Sequence, residues 1–384
     1  QGVNRSTHPL FDIDMSEVAC VVFDEVHMIN DVSRGHVWET SIMMMPHHVQ
    51  LVMLSATIDR PRGFADWVQT MRRRQVDLCS TPKREVPLNF HIWHSGPGRL
   101  DKTERDKDIV RLFDESTNRA HPVFSTVTNQ YNDQAHQRVT RMNRYMGLNR
   151  HHIPPERSLN DVVGHLKQRD LFPSIVFVLS RKLLERYARA ITVPVLDCEN
   201  DDDYPGTIRR ECIATLRRRL TNWQEYMELT ETQQLISLLC KGIAIHHSGM
   251  MPVLREMVEV LFSKKMIKVL VATESMAIGI NMPARSTVFM GLSKFDGNAM
   301  RLLESSEAKQ MAGRAGRRGI DSTGEVFFVG NMKNFPDVSE LRGMVLGQPG
   351  RMVSRFKLSY DTVLSDPSID RMVEFCRHSM MSTE

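Results

Sequence analysis

The stretch Val18-Ala19-Cys20-Val21-Val22-Phe23-Asp24-Glu25-Val26-His27 decides how this chain folds. A short apolar run rich in β-branched residues, with no polar alternation, is the pattern of a strand buried on both faces of a parallel sheet. The run delivers two adjacent carboxylates at its carboxyl end, where open α/β sheets form their ligand crevice. Two charges there are costly unless they serve something. Asp24 suits a Mg²⁺ ion that keeps much of its water shell. Glu25 suits the orientation and deprotonation of an attacking water. A surface turn after a strand produces the same string, so the pair takes its meaning from the rest of the chain.

Similar runs recur at Val49–Leu54, Ile175–Leu179, Ile243–Ile245, Ile267–Ala272, Thr287–Met290 and Val326–Val329, most of them followed by polar or Gly-containing turns. Helical patterns fall between them. The clearest is Pro252–Lys264, where Pro252 suits the first helical position. Val253, Leu254, Met257, Val258, Leu261 and Phe262 then share one face, leaving Arg255, Glu256 and Glu259 outward. Strands alternating with helices predict open parallel α/β sheets, and there are two. The first spans about residues 10–80 and has two clear strands; the second runs from about 86 to about 345. A sheet covered on both faces needs more strands than two, so the N-terminal part of the first is expected to lie outside this sequence. Leu78–Val86, near Pro82 and Pro87, is the expected hinge. Residues 95–165, charge-rich and punctuated by Gly96, Pro97, Gly98, Pro154 and Pro155, read as a mostly surface insertion, helical over Lys107–Phe113 and Gln134–Met146.

Composition narrows the classes. The 384 residues suit two or three domains. With 41% hydrophobic and 25% charged residues the chain is neither disordered nor collagen-like. No apolar run reaches the roughly 18 residues of a spanning helix, so no membrane segment is expected. No basic segment followed by an apolar run is visible after Gln1. A net charge of +4 permits a polyanionic partner without demanding one. Cys20, Cys79, Cys198, Cys212, Cys240 and Cys376 include no CxxC pair, which argues against a disulfide framework or zinc ribbon. Reduced, buried thiols in an intracellular protein are the expectation.

Two further motifs carry chemistry. Ser55-Ala56-Thr57 directly follows the strand Val49–Leu54. Small hydroxyl residues at a strand end relay hydrogen bonds across a crevice; they also cap helices, and Thr57 to Asp59 is placed to cap one beginning near Pro61. Gln310-Met311-Ala312-Gly313-Arg314-Ala315-Gly316-Arg317-Arg318-Gly319 interleaves arginines with glycines. Glycine lets backbone approach a ligand closely. The planar guanidinium fork suits phosphate oxygens, and arginines supplied from a second domain stabilise charge on a transferring phosphoryl group. The competing reading is a basic loop on an RNA-binding surface. Arg138, Arg141, Arg144, Arg150, His151 and His152, the acidic Glu199–Asp203 and the basic Arg217–Arg219 read as solvated surface.

Taken in order, the acid pair (a Walker B arrangement), the Ser55–Thr57 motif and the Gln310–Arg317 run resemble superfamily two helicases of the DExH class. The strings DEVHMIND (Asp24–Asp31), IVFVLSRK (Ile175–Lys182), GIAIHHSGM (Gly242–Met250), VLVATESMAIGINMPAR (Val269–Arg285) and QMAGRAGRRGID (Gln310–Asp321) narrow the resemblance to superkiller-type (Ski-two-like) RNA helicases. It covers nearly the whole chain apart from 95–165. It implies an α/β fold of two RecA-like parallel-sheet domains, the first incomplete. Their bounds would be 1–82 and 83–345, followed by the start of a helical or winged-helix region at 346–384. It implies ATP and Mg²⁺ as cofactors and 3′ to 5′ movement on RNA. The single-stranded 3′ region of RNA would be the partner, with exosome-type or other RNA-processing proteins beside it, in nucleus or cytoplasm. Residue by residue, Asp24 and Glu25 match the metal-holding and water-activating acids. His27 matches the residue that links the ATP site to the coupling motif Ser55, Ala56 and Thr57. Gln310, Arg314 and Arg317 match positions that reach the ATP phosphates, and Gly279 and Asn281 line the same cleft. Ser180, Arg181, Ser248, Gly249 and Thr273 match positions that grip the nucleic-acid backbone. Such a grip, from short hydroxyls, backbone N–H groups and Arg, holds phosphates without reading bases.

The departures are specific. The dipeptide Gly-Lys, which ends the family's phosphate-cradling loop, occurs nowhere in the chain. That loop is expected upstream of Gln1, and the 384 residues alone are expected to hydrolyse ATP weakly. Ile58-Asp59-Arg60 stands where the family has an Asn-containing turn, and Met28 where an aromatic is common. DNA-repair helicases share the overall scheme, but with Thr-Pro-Thr and Asn-Leu-Pro. Here Thr273-Glu274-Ser275 and Asn281-Met282-Pro283 stand instead, and Ser354–Leu364 resembles the segment that follows the second motor domain in RNA members, so RNA is the expected substrate. A non-catalytic RNA-binding scaffold that has kept a motor fold is the alternative of a different class.

Overall fold

The structure, a computed structural model, describes residues 14–31, 34–55, 58–81, 84–97, 100, 106–196, 203–277, 282–348, 352–357, 373 and 375–382. The chain divides into two units, Gln1–Pro82 with Gln348–Glu384, and Lys83–Gly347.

In the first unit the two apolar runs form β1 (Cys20–Phe23) and β2 (Gln50–Met53), parallel and in register from Cys20 opposite Gln50 to Phe23 opposite Met53. The crossover between them contains α1 (Gly35–Met44), and α2 (Pro61–Arg72) follows β2. Phe23, Val26, Ile29, Ile42, Trp67, Val68 and Met71 make the core, joined by Met352 and Met380 from the C-terminal segment. Gly35 starts α1 so close to the preceding turn that a Cβ there would lie 2.1 Å from the Ile29 carbonyl oxygen. The buried Arg72 side chain donates to the carbonyls of Pro46 (2.8 Å) and Val49 (2.7 Å), satisfying the turn into β2. Proline does sit at the start of α2, but the residue before it, Arg60, has φ 51° and no side chain caps the helix. The expected cap from Thr57 to Asp59 is therefore corrected as to mechanism: a left-handed residue turns the chain, and Thr57 itself lies outside the described residues.

The C-terminal segment is tied to the first unit. Glu39, fully buried on α1, accepts hydrogen bonds from Ser354 Oγ (2.8 Å) and Met380 N (2.7 Å). Asn30 Oδ1 accepts from Val353 N at 2.9 Å, and Trp67 Nε1 donates to the His378 carbonyl at 2.9 Å.

The second unit is built on one eight-stranded sheet. Its elements in chain order are β3 (Leu88–His94), α3 (Lys107–Ser116), β4 (Arg119–Ser125), β5 (Gln130–Tyr131), α4 (Asp133–Leu148), α5 (Pro155–Gln168), β6 (Ser174–Phe177) and α6 (Arg181–Ala190). There follow α7 (Tyr204–Arg219), α8 (Trp223–Glu228), α9 (Thr230–Leu239), β7 (Ile243–His246), α10 (Pro252–Ser263), β8 (Val269–Ala272), β9 (Ser286–Phe289) and the small hairpin β10 (Ser293–Phe295) and β11 (Met300–Leu302). Last come α11 (Ser305–Ala312), β12 (Gly324–Val329) and α12 (Val338–Leu346). The sheet order is β5-β4-β3-β12-β9-β6-β8-β7; the last six are mutually parallel, and β4 and β5 continue the sheet antiparallel at one edge. Successive residues of a strand face opposite sides. Thus Ile175, Phe177, Leu270, Phe289 and Phe328 enter one core with α4, α9 and α10, while Val176, Val271, Val288 and Phe327 enter the other with α5 and α6.

One expectation is overturned. Residues 95–165 are not mostly surface: β4 pairs with β3, and Ile109, Phe113, Val123, Val139, Met142 and Leu159 are core residues. Their apolar positions are spread over amphipathic helices whose other faces are charged, which dilutes the signal. Arg138, Arg141 and Arg144 are on that exposed face of α4, and Arg217–Arg219 end α7 in solvent. Most of Glu199–Asp203 lies outside the described residues. The described cysteines are free thiols, but only Cys212 is fully buried; Cys20 and Cys79 are exposed. Among the described residues no helix is long and apolar enough to cross a membrane.

Candidate active site

In the first unit the ends of β1 and β2 are laced together. Leu54 N donates to the Phe23 carbonyl (2.8 Å) and Val26 N to the Leu54 carbonyl (2.9 Å). This brings the residues after both strands side by side. Asp24 is exposed, and one of its oxygens accepts from Glu25 N at 2.9 Å. Glu25 has φ 55° and ψ 45°, a left-handed conformation for a residue with a Cβ. That conformation costs on the order of 1–2 kcal/mol and recurs where a side chain must be aimed. The tight helix Val26–Asn30 then returns His27, whose Nδ1 is 3.3 Å from Glu25 Oε2 and 3.5 Å from Ser55 Oγ. Burial holds the His27 imidazole below its ordinary value, against the opposing pull of Glu25 and Asp24. Both contacts fall on the one ring nitrogen, which can donate to the carboxylate or accept from the hydroxyl but not do both at once. Ala56 and Thr57 lie outside the described residues.

Among the described residues no three His, Cys, Asp or Glu side chains converge on a metal position. An exposed carboxylate with an uncommitted oxygen does suit Mg²⁺, which takes one or two carboxylates together with phosphates and water rather than a protein cage.

In the second unit the arginine loop follows α11. A capping box fixes that helix: Glu304 and Glu307 bond each other's backbone N–H groups. Gln310, on its last turn, buries an amide nitrogen that finds no partner among the described residues. Arg314 Nε donates to the Ala277 carbonyl at 3.1 Å, and Nη2 does the same. Arg317 is held by Asp321, which accepts from its backbone N (2.9 Å), Nε (2.8 Å) and Nη2 (2.8 Å). Those bonds raise the Arg317 guanidinium above its ordinary value. Asp321 is lowered in turn, burial being outweighed by the bonds from Arg317. The loop pairs with the segment before β9, Ala284 N donating to the Arg314 carbonyl and Gly316 N to the Ala284 carbonyl, both at 2.8 Å. Gly279 and Asn281 lie outside the described residues. Asp321 and Ala277 escaped sequence reasoning. The spacing of Asp321 four residues after Arg317 was the available signal; a backbone carbonyl leaves none.

The residues read as gripping nucleic acid gather at the carboxyl ends of the neighbouring strands β6, β8 and β7. Ser180 is the N-cap position of α6, and Arg181 Nη2 donates to Ser248 Oγ at 2.8 Å. Gly249 N donates to His247 Nδ1 at 3.1 Å, and a Cβ on Gly249 would meet Arg181 Nη1 at 3.3 Å. Thr273 is buried, its hydroxyl 2.9 Å from Ser275 Oγ, so it presents less to a ligand than its motif suggests. His246 is a core histidine bonded to Glu259 Oε1 at 3.1 Å.

Residues 4–63 match the DEAD/DEAH box helicase family, and residues 214–319 match the helicase conserved C-terminal domain. Human Superkiller complex protein 2 is 35% identical over 360 residues, 92% of this chain and 27% of that protein. The chain belongs to the superkiller-type DExH-box family. The Antiviral helicase SKI2 of Saccharomyces cerevisiae is 33% identical over 94% of this chain and 30% of its own length. The human Exosome RNA helicase MTR4 is 33% identical over 91% and 32%. The chain thus spans about a third or less of the superkiller-type relatives it matches. The mostly parallel α/β sheets of the two units are the RecA-like folds of this family.

Proposed function

We propose that the protein is an ATP-dependent RNA helicase that moves 3′ to 5′ on RNA in RNA processing or decay. The observation that carries this reading is the end of β1. Glu25 is held in a left-handed conformation beside exposed Asp24, and His27 Nδ1 lies close to both Glu25 and Ser55. In this reading Asp24 would hold Mg²⁺, whose charge would offset that of the nucleotide phosphates. Glu25 takes the proton of the attacking water. His27, whose Nδ1 can turn to either that carboxylate or Ser55, would link the acid to the coupling motif. Gln310, Arg314 and Arg317 serve the phosphates from the second unit, and Gly279 and Asn281 line the same nucleotide. Arg314 and Arg317 would exchange the Ala277 carbonyl and one edge of Asp321 for phosphate oxygens. Ser180, Arg181, Ser248, Gly249 and Thr273 hold the RNA backbone, a single-stranded 3′ region being the natural entry. The domain bounds 1–82 and 83–345, with further domain structure after 346, belong to the same proposal. The names Superkiller complex protein 2 and Exosome RNA helicase MTR4 support protein partners of the exosome type. With no Gly-Lys dipeptide to end a phosphate-cradling loop, the 384 residues alone turn over ATP slowly.

The test is Glu25→Gln in the full-length protein. RNA-stimulated phosphate release should fall about 10²- to 10⁴-fold, the range for a lost general base, while ATP-dependent RNA binding persists. Turnover within a few-fold of wild type would remove Glu25 from this role. Equal stimulation by single-stranded DNA would favour the DNA-repair reading.

A further inference from the structure

We infer that Arg84 is a positioning residue for the arginine loop: it fastens the backbone on both sides of Arg314 and so sets where Arg314 and Arg317 are presented. The inference rests on the reading that this loop serves the ATP phosphates. Arg84 lies just past the division between the units, in the segment read as a hinge. Its Nη2 donates to the carbonyls of Gly313 (2.7 Å) and Ala315 (2.8 Å), and its Nε to its own segment at the Val86 carbonyl (2.8 Å). The carbonyl between those two, that of Arg314, is taken by Ala284 N at 2.8 Å. Three consecutive carbonyls around Arg314 are therefore committed, two of them to one guanidinium. Packing adds to the fastening, because a Cβ on Gly316 would lie 2.5 Å from Val86 Cγ1. Glu85 also pairs with Arg318, but both side chains are exposed and such a pair contributes little. The segment that leaves the first unit is thus joined to the loop through Arg84 and Val86. A planar fork is needed to span two carbonyls and reach back to a third; a lysine ammonium carries the charge without that geometry.

Two measurements test this. In the 384-residue chain, Arg84→Met should speed amide exchange at Ala284 and Gly316 about tenfold, the effect of losing one or two hydrogen bonds. Amides of β6 and β8 should not change. In the full-length protein, Arg84→Met should lower kcat for RNA-stimulated ATP hydrolysis about tenfold with KM for ATP held within about twofold, as when an interaction made in the transition state is lost. Arg84→Lys should behave like the methionine variant. The inference is overturned if loop exchange is unchanged, if exchange rises equally throughout the unit, if kcat is unaffected, or if lysine restores kcat. Arg317→Ala separates the two levels. If that variant turns over normally, the phosphate reading of the loop fails, and the exchange measurement still decides what Arg84 holds.

Discussion

His94 should make the second unit acid-sensitive by an amount the structure fixes. It ends β3 and is fully buried, with Nε2 3.1 Å from Asn143 Oδ1 and Nδ1 enclosed with no partner among the described residues. Burial pushes its pKa down to about 4, the bond to Asn143 offsetting part of the effect and nearby His121 adding to it. In the unfolded chain the ordinary value is about 6.5. Between about pH 6.5 and about pH 4, then, the unfolded state binds the proton and the folded state does not. Stability is fully present above that window and is lost as pH falls through it. The whole window amounts to about 3 kcal/mol, and the part from pH 7 to pH 5 to about 2 kcal/mol. His94→Gln keeps an N–H near Asn143 Oδ1 and removes the titration. Urea unfolding followed at the methyl resonances of Ile92 and Ile175, both in this unit's core, gives the free energy for each protein at each pH. His27, His121, His136, His165, His246 and His247 are also held low, but they are common to both proteins and largely cancel in the difference. The wild-type advantage over the variant should shrink by about 2 kcal/mol between pH 7 and pH 5. A difference that stays constant with pH would refute the claim that His94 is buried as the neutral base.

Gly316 and Gly319 both have positive φ, 83° and 72°, but only Gly316 is crowded, so alanine at the two positions separates backbone strain from packing. Gly319→Ala should cost about 1 kcal/mol of stability in chemical unfolding and Gly316→Ala roughly 2–4 kcal/mol, since a buried clash is added; equal costs would show that Val86 yields freely. Glu39→Gln should loosen the C-terminal segment from the first unit, because Gln offers one acceptor where the carboxylate offers two to Ser354 and Met380. Limited proteolysis within 352–357 should accelerate about tenfold, in line with losing a charge-assisted bond, and an unchanged rate would remove Glu39 from that role.

What could be read from the amino acids alone follows from how far each residue's purpose lies from it along the chain. Strands β6, β8 and β9 were legible because both faces are buried and the runs are mostly apolar, whereas β1 and β2 were legible from their apolar runs although Cys20, Val22 and Gln50 are exposed here. β3 was not, because Asn89 and His91 interrupt it. Glu325, on the neighbouring β12, compensates them by accepting from Asn89 Nδ2 at 3.1 Å and lying 2.7 Å from His91 Nε2. That compensation comes from a residue more than two hundred positions away. The segment 95–165 was misread for the same reason, since β4 acquires its meaning only by pairing with β3. The candidate site divides likewise. Asp24, Glu25, His27 and the Gln310–Arg317 run are local strings that chemistry can interpret. The groups that hold those side chains in place are a carbonyl at Ala277, a carboxylate at Asp321 and a guanidinium at Arg84. Of these only Asp321 stands near its client in sequence. A side chain that must meet phosphate displays its type in the sequence. A partner that only aims it can be any donor or acceptor the fold brings near. The arginine loop therefore displays the type of group that the proposed function assigns to phosphate, and the distances around Arg314 and Arg317 show which contacts the loop would exchange in that role.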